Sequence, residues 1–259
     1  MWIPPAGVRP WLHQTTEDGE ERLMASPWAQ NPAGAPRPLA QALVSLAETP
    51  DDMPDIGDRL DGLAHLAADR IDAVDYAAIA ARPDDGCCAV ATDSRLVDAV
   101  EDAVPHVGGD APSPTGRPTT TITWPRFRET AAGMGMSIVS VPVFTGGGTA
   151  VATLDLYGRD PAAMAPMTAG LCVAYDPELS WPDRESLRPL DEGGEELVAG
   201  FAEALAVRAT IQLALDMITL GARVDGAGAY LSLRLHAADN RVSLLEAAST
   251  LITRNLGPR

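Results

Sequence analysis

Cys87 and Cys88 are adjacent, follow Asp84 and Asp85, and supply two of the chain's three thiols. Adjacent cysteines rarely bridge each other, and a total of three argues against a disulfide framework. With carboxylates as the near charges, nothing there favours a reactive thiolate. The four histidines, His13, His65, His106 and His236, are widely separated, and none stands at metal-ligand spacing. The Gly146–Gly148 run has no following Lys-Ser/Thr, so it reads as a hairpin turn rather than a phosphate loop. No nucleophile elbow occurs. The acidic pairs at 51 and 52, 84 and 85, and 195 and 196 read as solvated loops or helix N-termini. These residues predict a non-enzymatic chain with no metal and no cofactor.

Arginine supplies all the basic chemistry, because the chain contains no lysine. A net charge of −17 over 259 residues excludes a general polyanion binder. The charge is uneven. Residues 204–259 hold six arginines against Asp216, Asp225, Asp239 and Glu246, net +2, which leaves −19 on the first 203. Nucleic-acid contact is therefore expected only in the C-terminal part, with Arg208, Arg234, Arg241 and Arg254 as the phosphate-binding candidates. The plainer reading makes them surface charges, with Arg208 in a salt bridge to Glu203 or Glu246. Tyr76, Trp124, Phe127, Phe144 and Tyr157 could line a small-molecule cavity, although aromatics at such spacing also serve as plain core. No basic start with an apolar run and no run of 18 apolar residues occurs, which predicts a reduced, cytoplasmic protein without a membrane partner.

Certain elements must position these residues. Residues 1–37, rich in Pro, Gly and acidic side chains, predict a disordered arm carrying Trp2, Trp11 and Trp28. Leu60, Leu63, Ala67 and Ile71 share a helical face. DYAAIAAR and CCAVATD read as strands, Ser94 as the cap of a further helix, and 105–118 as a long loop. TTTIT reads as a strand and WPRFRETAAGMG as a short helix opened by Pro125. MSIVSVPVF and TAVATLDLY, joined by TGGG, read as an antiparallel hairpin. Five prolines between 160 and 192 predict an insert without a long helix. A long helix follows from about Glu195, with Leu197, Gly200, Ala204, Val207, Ile211, Ala214 and Ile218 as a heptad seam. Two shorter helices complete a bundle, with Ala229, Tyr230, Leu233 and Ala237 on one face, then Leu244, Leu245, Ala248, Leu251 and Ile252 on another.

The residues Trp124, Pro125 and Phe127, then Ser137, Ser140 and Pro142, then Leu154, Leu156 and Tyr157 resemble the second half of the GAF domain in bacterial GAF–ANTAR regulators. Arg208, Ile211 and Ala214, then Ala229, Tyr230, Leu233, Arg234 and Ala237, then Leu244, Ala247 and Ala248 resemble ANTAR, the three-helix RNA-binding module of transcription antiterminators. The resemblance implies an α+β fold: a GAF-like antiparallel sheet flanked by helices, joined by a long helix to a C-terminal three-helix bundle. The divisions expected are the arm 1–37, a sensor domain 38–192 including the insert 160–192, and the helix and bundle 193–259. It also implies a signal-responsive transcription antitermination regulator. A small molecule at the GAF domain would alter a homodimer, formed through the long helix, that grips paired RNA hairpins.

Two departures stand against that implication. The family's Lys-Gly after the first-helix Ala is replaced by Leu215 and Asp216, which costs roughly 2–3 kcal/mol of phosphate contact. The family's Gly-Glu-Gly-Pro-Cys loop has no counterpart in 105–118. The alternative expectation is a dimeric sensing or protein-interaction module whose bundle no longer binds RNA. A thiol enzyme on the same scaffold, such as a sulfoxide reductase, is the enzymatic alternative.

Overall fold

Five strands form one antiparallel sheet in the order β3-β2-β1-β5-β4. They are β1 (Tyr76–Ala80), β2 (Cys87–Thr92), β3 (Thr120–Pro125), β4 (Ser137–Phe144) and β5 (Ala150–Gly158). The structure, a computed structural model, describes residues 37–80, 87–92, 120–125, 131–179 and 188–256, which belong to a unit spanning 35–259. The expected arm (Arg37 apart), the helix capped by Ser94 and the 105–118 loop lie outside the described residues. The fold is mixed α+β with an antiparallel sheet.

Alternation sets the two sheet faces. Val139, Val141, Leu154, Leu156, Ala77 and Ile79 are paired in register on one face, buried beneath α1 (Pro38–Glu48) and α2 (Ile56–Arg70). Each fully buried Leu there contributes about 1.5–3 kcal/mol. The other face carries Tyr76, Ala78 and Tyr157, packed with Ala131 and Met136. Strand β3 runs through Trp124 and Pro125, where a helix starting at Pro125 is expected from sequence. Pro125 pairs with Cys87 at the outer edge of the sheet, where a missing N–H costs little.

The 160–192 segment corrects another expectation, because Pro161–Tyr175 is a 15-residue helix, α3. Pro161 occupies its first turn, where no N–H is needed. The Asp160 carboxylate caps it by accepting from the Ala162 N–H at 2.9 Å. Pro166 inside the helix is buried, and its burial offsets one lost backbone bond.

The long helix α4 spans Glu192–Ala222, capped by Asp191, with Glu192 and Glu195 at its positive end. It is followed by α5 (Gly226–Asn240) and α6 (Leu244–Leu256), and all three pack together. The expected heptad seam is consumed inside the chain. Leu197, Gly200, Ala204, Val207, Ile211 and Ala214 are buried, and α1, α3, α5 and α6 all pack on this helix. At Gly200 the backbone of Ala40 approaches so closely that any Cβ would overlap it. By length and composition α4 is apolar enough to cross a membrane, yet half of that apolar stretch is buried in the fold.

Helix α1, whose Leu39, Leu43 and Leu46 stand at steps of four and three, has no capping side chain of its own. The Glu196 carboxylate of α4 accepts the Leu39 N–H at 3.1 Å and binds Arg70 of α2 at 2.6 Å. Glu196 is 2% exposed. A residue expected at a solvated helix end is thus a buried tie between three helices.

Candidate functional site

Two of the four candidate RNA-binding arginines are engaged inside the chain. Arg208 points from α4 to the β4–β5 hairpin, donating from Nε to the Gly148 carbonyl at 2.7 Å. Its guanidinium lies 4.7 Å from the Phe144 ring centroid. It meets neither Glu203 nor Glu246. Arg234 on α5 binds Asp52 of the α1–α2 loop at 3.0 Å and lies 5.7 Å from the ring of Tyr230, one turn earlier. Arg241 and Arg254 are exposed. Arg241, whose place in the sequence suggests the start of the third helix, instead closes α5 in the left-handed conformation, φ 55°, with its N–H on the helix's last carbonyls. Arg254 sits in the last turn of α6, complementing the negative end of the helix.

This placement leaves only part of the bundle's positive charge fully exposed. Among the described residues 204–256, the exposed cations are Arg223, Arg241 and Arg254, set against exposed Asp216, Asp225, Asp239 and Glu246, net −1. The +2 counted from sequence includes Arg208 and Arg234, which are engaged, and Arg259, which lies outside the described residues. The same surface exposes Leu213, Leu220, Leu231, Leu235 and Leu256. Leu231 and Leu235 occupy the face of α5 opposite its buried Ala229, Leu233 and Ala237.

The hairpin tip is the joint between sheet and bundle. Asp51 Oδ1 accepts the Thr145 hydroxyl at 2.6 Å and the Gly147 N–H at 2.9 Å. The Gly146 N–H donates to the Thr49 carbonyl at 2.7 Å. Gln212, one turn beyond Arg208, donates to the Gly147 carbonyl at 3.1 Å. On the other side of the loop, the Asp51 N–H donates to the Tyr230 hydroxyl at 3.3 Å. Burial pushes that phenol's pKa up, partly offset by the Asp51 N–H. A Cβ on Gly146, Gly147 or Gly148 would overlap Leu244, Asp51 or Gln212 respectively, and Gly148 also has φ +76°. The glycine run is a turn, as expected, and each glycine also seats a different neighbour. Asp51 and Asp52 are exposed in a loop, as expected, and they are also central to the joint. Sequence reasoning missed them because their partners lie 94 to 182 residues away.

Of the aromatics expected to line a cavity, the described side chains of Tyr76, Phe144 and Tyr157 do not all come together. Tyr76 and Tyr157 are partners on one sheet face, whereas Phe144, beyond a bulge in β4, turns to Arg208. The backbone of Trp124 pairs with Cys88, and Phe127 lies outside the described residues. Near the tyrosines, Asp155 is 1% exposed and accepts the Ser140 hydroxyl at 2.6 Å. Surface depressions among the described residues lie elsewhere. One, of about 200 Å³, lies beside Ile71 and Met167, and another, of about 410 Å³, lies along α1 at Arg37 and Val44. Neither includes any of the five aromatics. Among the described residues, no cluster of three His, Cys, Asp or Glu side chains could hold a metal ion.

Comparisons with protein-family models, with curated proteins and with solved structures give no match to this chain.

Proposed function

We propose that this chain is a non-enzymatic regulator of the GAF–ANTAR type whose C-terminal bundle engages a protein surface in place of RNA, the first such surface being a second copy of the chain. The observation that carries this reading is the bundle's exposed surface, which is net −1 and carries five leucines. Such a surface offers a phosphate backbone little net attraction, and its exposed leucines favour a protein interface.

With the inner seam of α4 consumed, its outer face supplies the contact. Ala202, Ala206, Ala209, Leu213, Met217 and Leu220 follow at steps of three and four over about 27 Å of helix. Leu220 is 81% exposed, and the alanines permit close approach. Sedimentation of the full chain tests this: a dimer that Leu213→Glu with Leu220→Glu converts to a folded monomer supports the reading, and a monomer at all concentrations overturns it.

Antitermination through RNA is the second reading. It is favoured by the fact that freeing Arg208 and Arg234 would turn the exposed balance of the described bundle from −1 to +1. A salt titration against an RNA with two short hairpins, alongside single-stranded and scrambled controls, separates the two. Hairpin-selective, salt-sensitive binding at micromolar concentration or below would establish the RNA reading, and its absence at low salt supports the protein one.

A further inference from the structure

We infer that the α1–α2 loop is a releasable latch between the sheet and α5, set by the β4–β5 hairpin tip and closed by Asp52 on Arg234. The inference goes beyond the choice of partner, because it concerns how the sheet reports to the bundle whatever the bundle meets.

Three features carry it. The inner apolar face of α5, with Ala229, Leu233 and Ala237, is buried where α5 packs on α4 and α6. Its hydrogen bonds to the α1–α2 loop come from Tyr230 and Arg234. The Arg234 and Asp52 side chains are 35% and 64% exposed, so their attraction is weak and screened by salt. A contact of that kind opens without disturbing a core.

The neighbouring residue of the same loop is held differently. Asp51 is fixed by Thr145 and Gly147 of the hairpin tip, so the strand pair β4–β5 sets where Asp51 and Asp52 stand. The loop therefore has one arm on the sheet and one arm on α5. A shift of the tip moves both carboxylates and changes the hold on Tyr230 and Arg234. This route runs beside the continuous helix α4, whose own grip on the tip comes through Arg208 and Gln212.

Residue-resolved amide exchange on the full chain tests the latch, because each arm has its own reporting N–H. The Asp51 N–H reports the arm on Tyr230, the Gly147 N–H reports the arm on the sheet, and the Gly228 N–H, held by Asp225 at 2.8 Å, reports the integrity of α5. With Arg234→Gln, Asp51 exchange rises about two- to fivefold while Gly147 and Gly228 are unchanged. Salt at 1 M accelerates Asp51 in the wild-type protein and adds little in the variant. Gly147→Ala, which displaces the Asp51 carboxylate, accelerates Asp51 exchange from the sheet side. Unchanged Asp51 exchange in Arg234→Gln overturns the latch, as does an equal rise at all three amides. Should Gly147→Ala fail to fold, Arg234→Gln with its salt series decides alone.

Discussion

Arg208 Nε stands 2.7 Å from the carbonyl oxygen of Gly148 while its guanidinium covers the ring of Phe144. An arginine that resembles an RNA contact thus clamps a hairpin to a helix. Arg208→Ala should lower unfolding free energy by about 2 kcal/mol, the value of a charge-assisted bond with a cation–π contact. Urea denaturation reads this directly. Arg208→Lys should restore little, because an ammonium lacks the planar fork. Wild-type stability in Arg208→Ala would count against the clamp.

Glu196 makes a harsher prediction. Its substitution by Ala leaves the Arg70 guanidinium and the Leu39 N–H without their shared acceptor, and should cost about 3 kcal/mol or more. Glu196→Gln keeps an acceptor and should fall between that variant and the wild type. Thermal unfolding of the two variants against the parent gives the order, and equal stability of all three would show that the tie contributes nothing.

Tyr230 sets a limit at alkaline pH. Burial raises its folded pKa above the ordinary phenol value, so the neutral form belongs to the folded state. The stabilisation it contributes is complete below the ordinary tyrosine range, about 10, and is lost as pH rises through the folded pKa. Tyr230→Phe should remove that alkaline loss, which a series of urea melts from pH 8 upward would reveal as a flatter profile. Identical profiles would sink the prediction.

Asp160 acts at the other end of the scale. The N–H groups of Ala162 and Ala163, with help from Arg188, lower its pKa. Its contribution to capping α3 is present above the ordinary carboxylate range and disappears as pH falls through the lowered value. Asp160→Asn retains an acceptor without the titration, so its stability should vary less between pH 5 and pH 2. An unchanged acid profile would exclude the cap as the cause.

Asp216 lies between Leu213 and Leu220, at the edge of the outer stripe of α4, and is exposed. In a dimer built on that stripe its carboxylate would give up part of its hydration, a cost that an apolar side chain there does not carry. Asp216→Leu should tighten the dimer, measurable as a lower dissociation constant by sedimentation. Weaker association in that variant would place the contact elsewhere.

Local patterns in the sequence carried much of this architecture. The alternation of Val139, Val141 and Val143 and the steps of three and four from Leu197 to Ala214 correspond to β4 and to the buried side of α4. What such patterns omit is the identity of the partner. The seam of α4 reads as a face for a second chain, and α1 occupies part of it, because a short helix with few polar interruptions gives no sign of where it docks. Proline counting failed at 160–192 because it ignores position: Pro161 is harmless in a first turn, and burial compensates for Pro166. The joint was illegible for a physical reason. Asp51, Asp52, Arg208 and Arg234 become partners only through contacts spanning 60 to 182 residues, and charge counting treats each as free.

The Glu196 tie has a consequence for the order of events on the ribosome. The first turn of α1 finds its acceptor 157 residues later in the chain, and β1 joins β5 only after the whole span between them has been made. Helix α1 therefore reaches its finished place only once residue 200 or so has left the exit tunnel. A nascent chain stopped short of that point should be held by chaperones rather than released as a folded half, and the long helix would be the piece that lets the first helix dock.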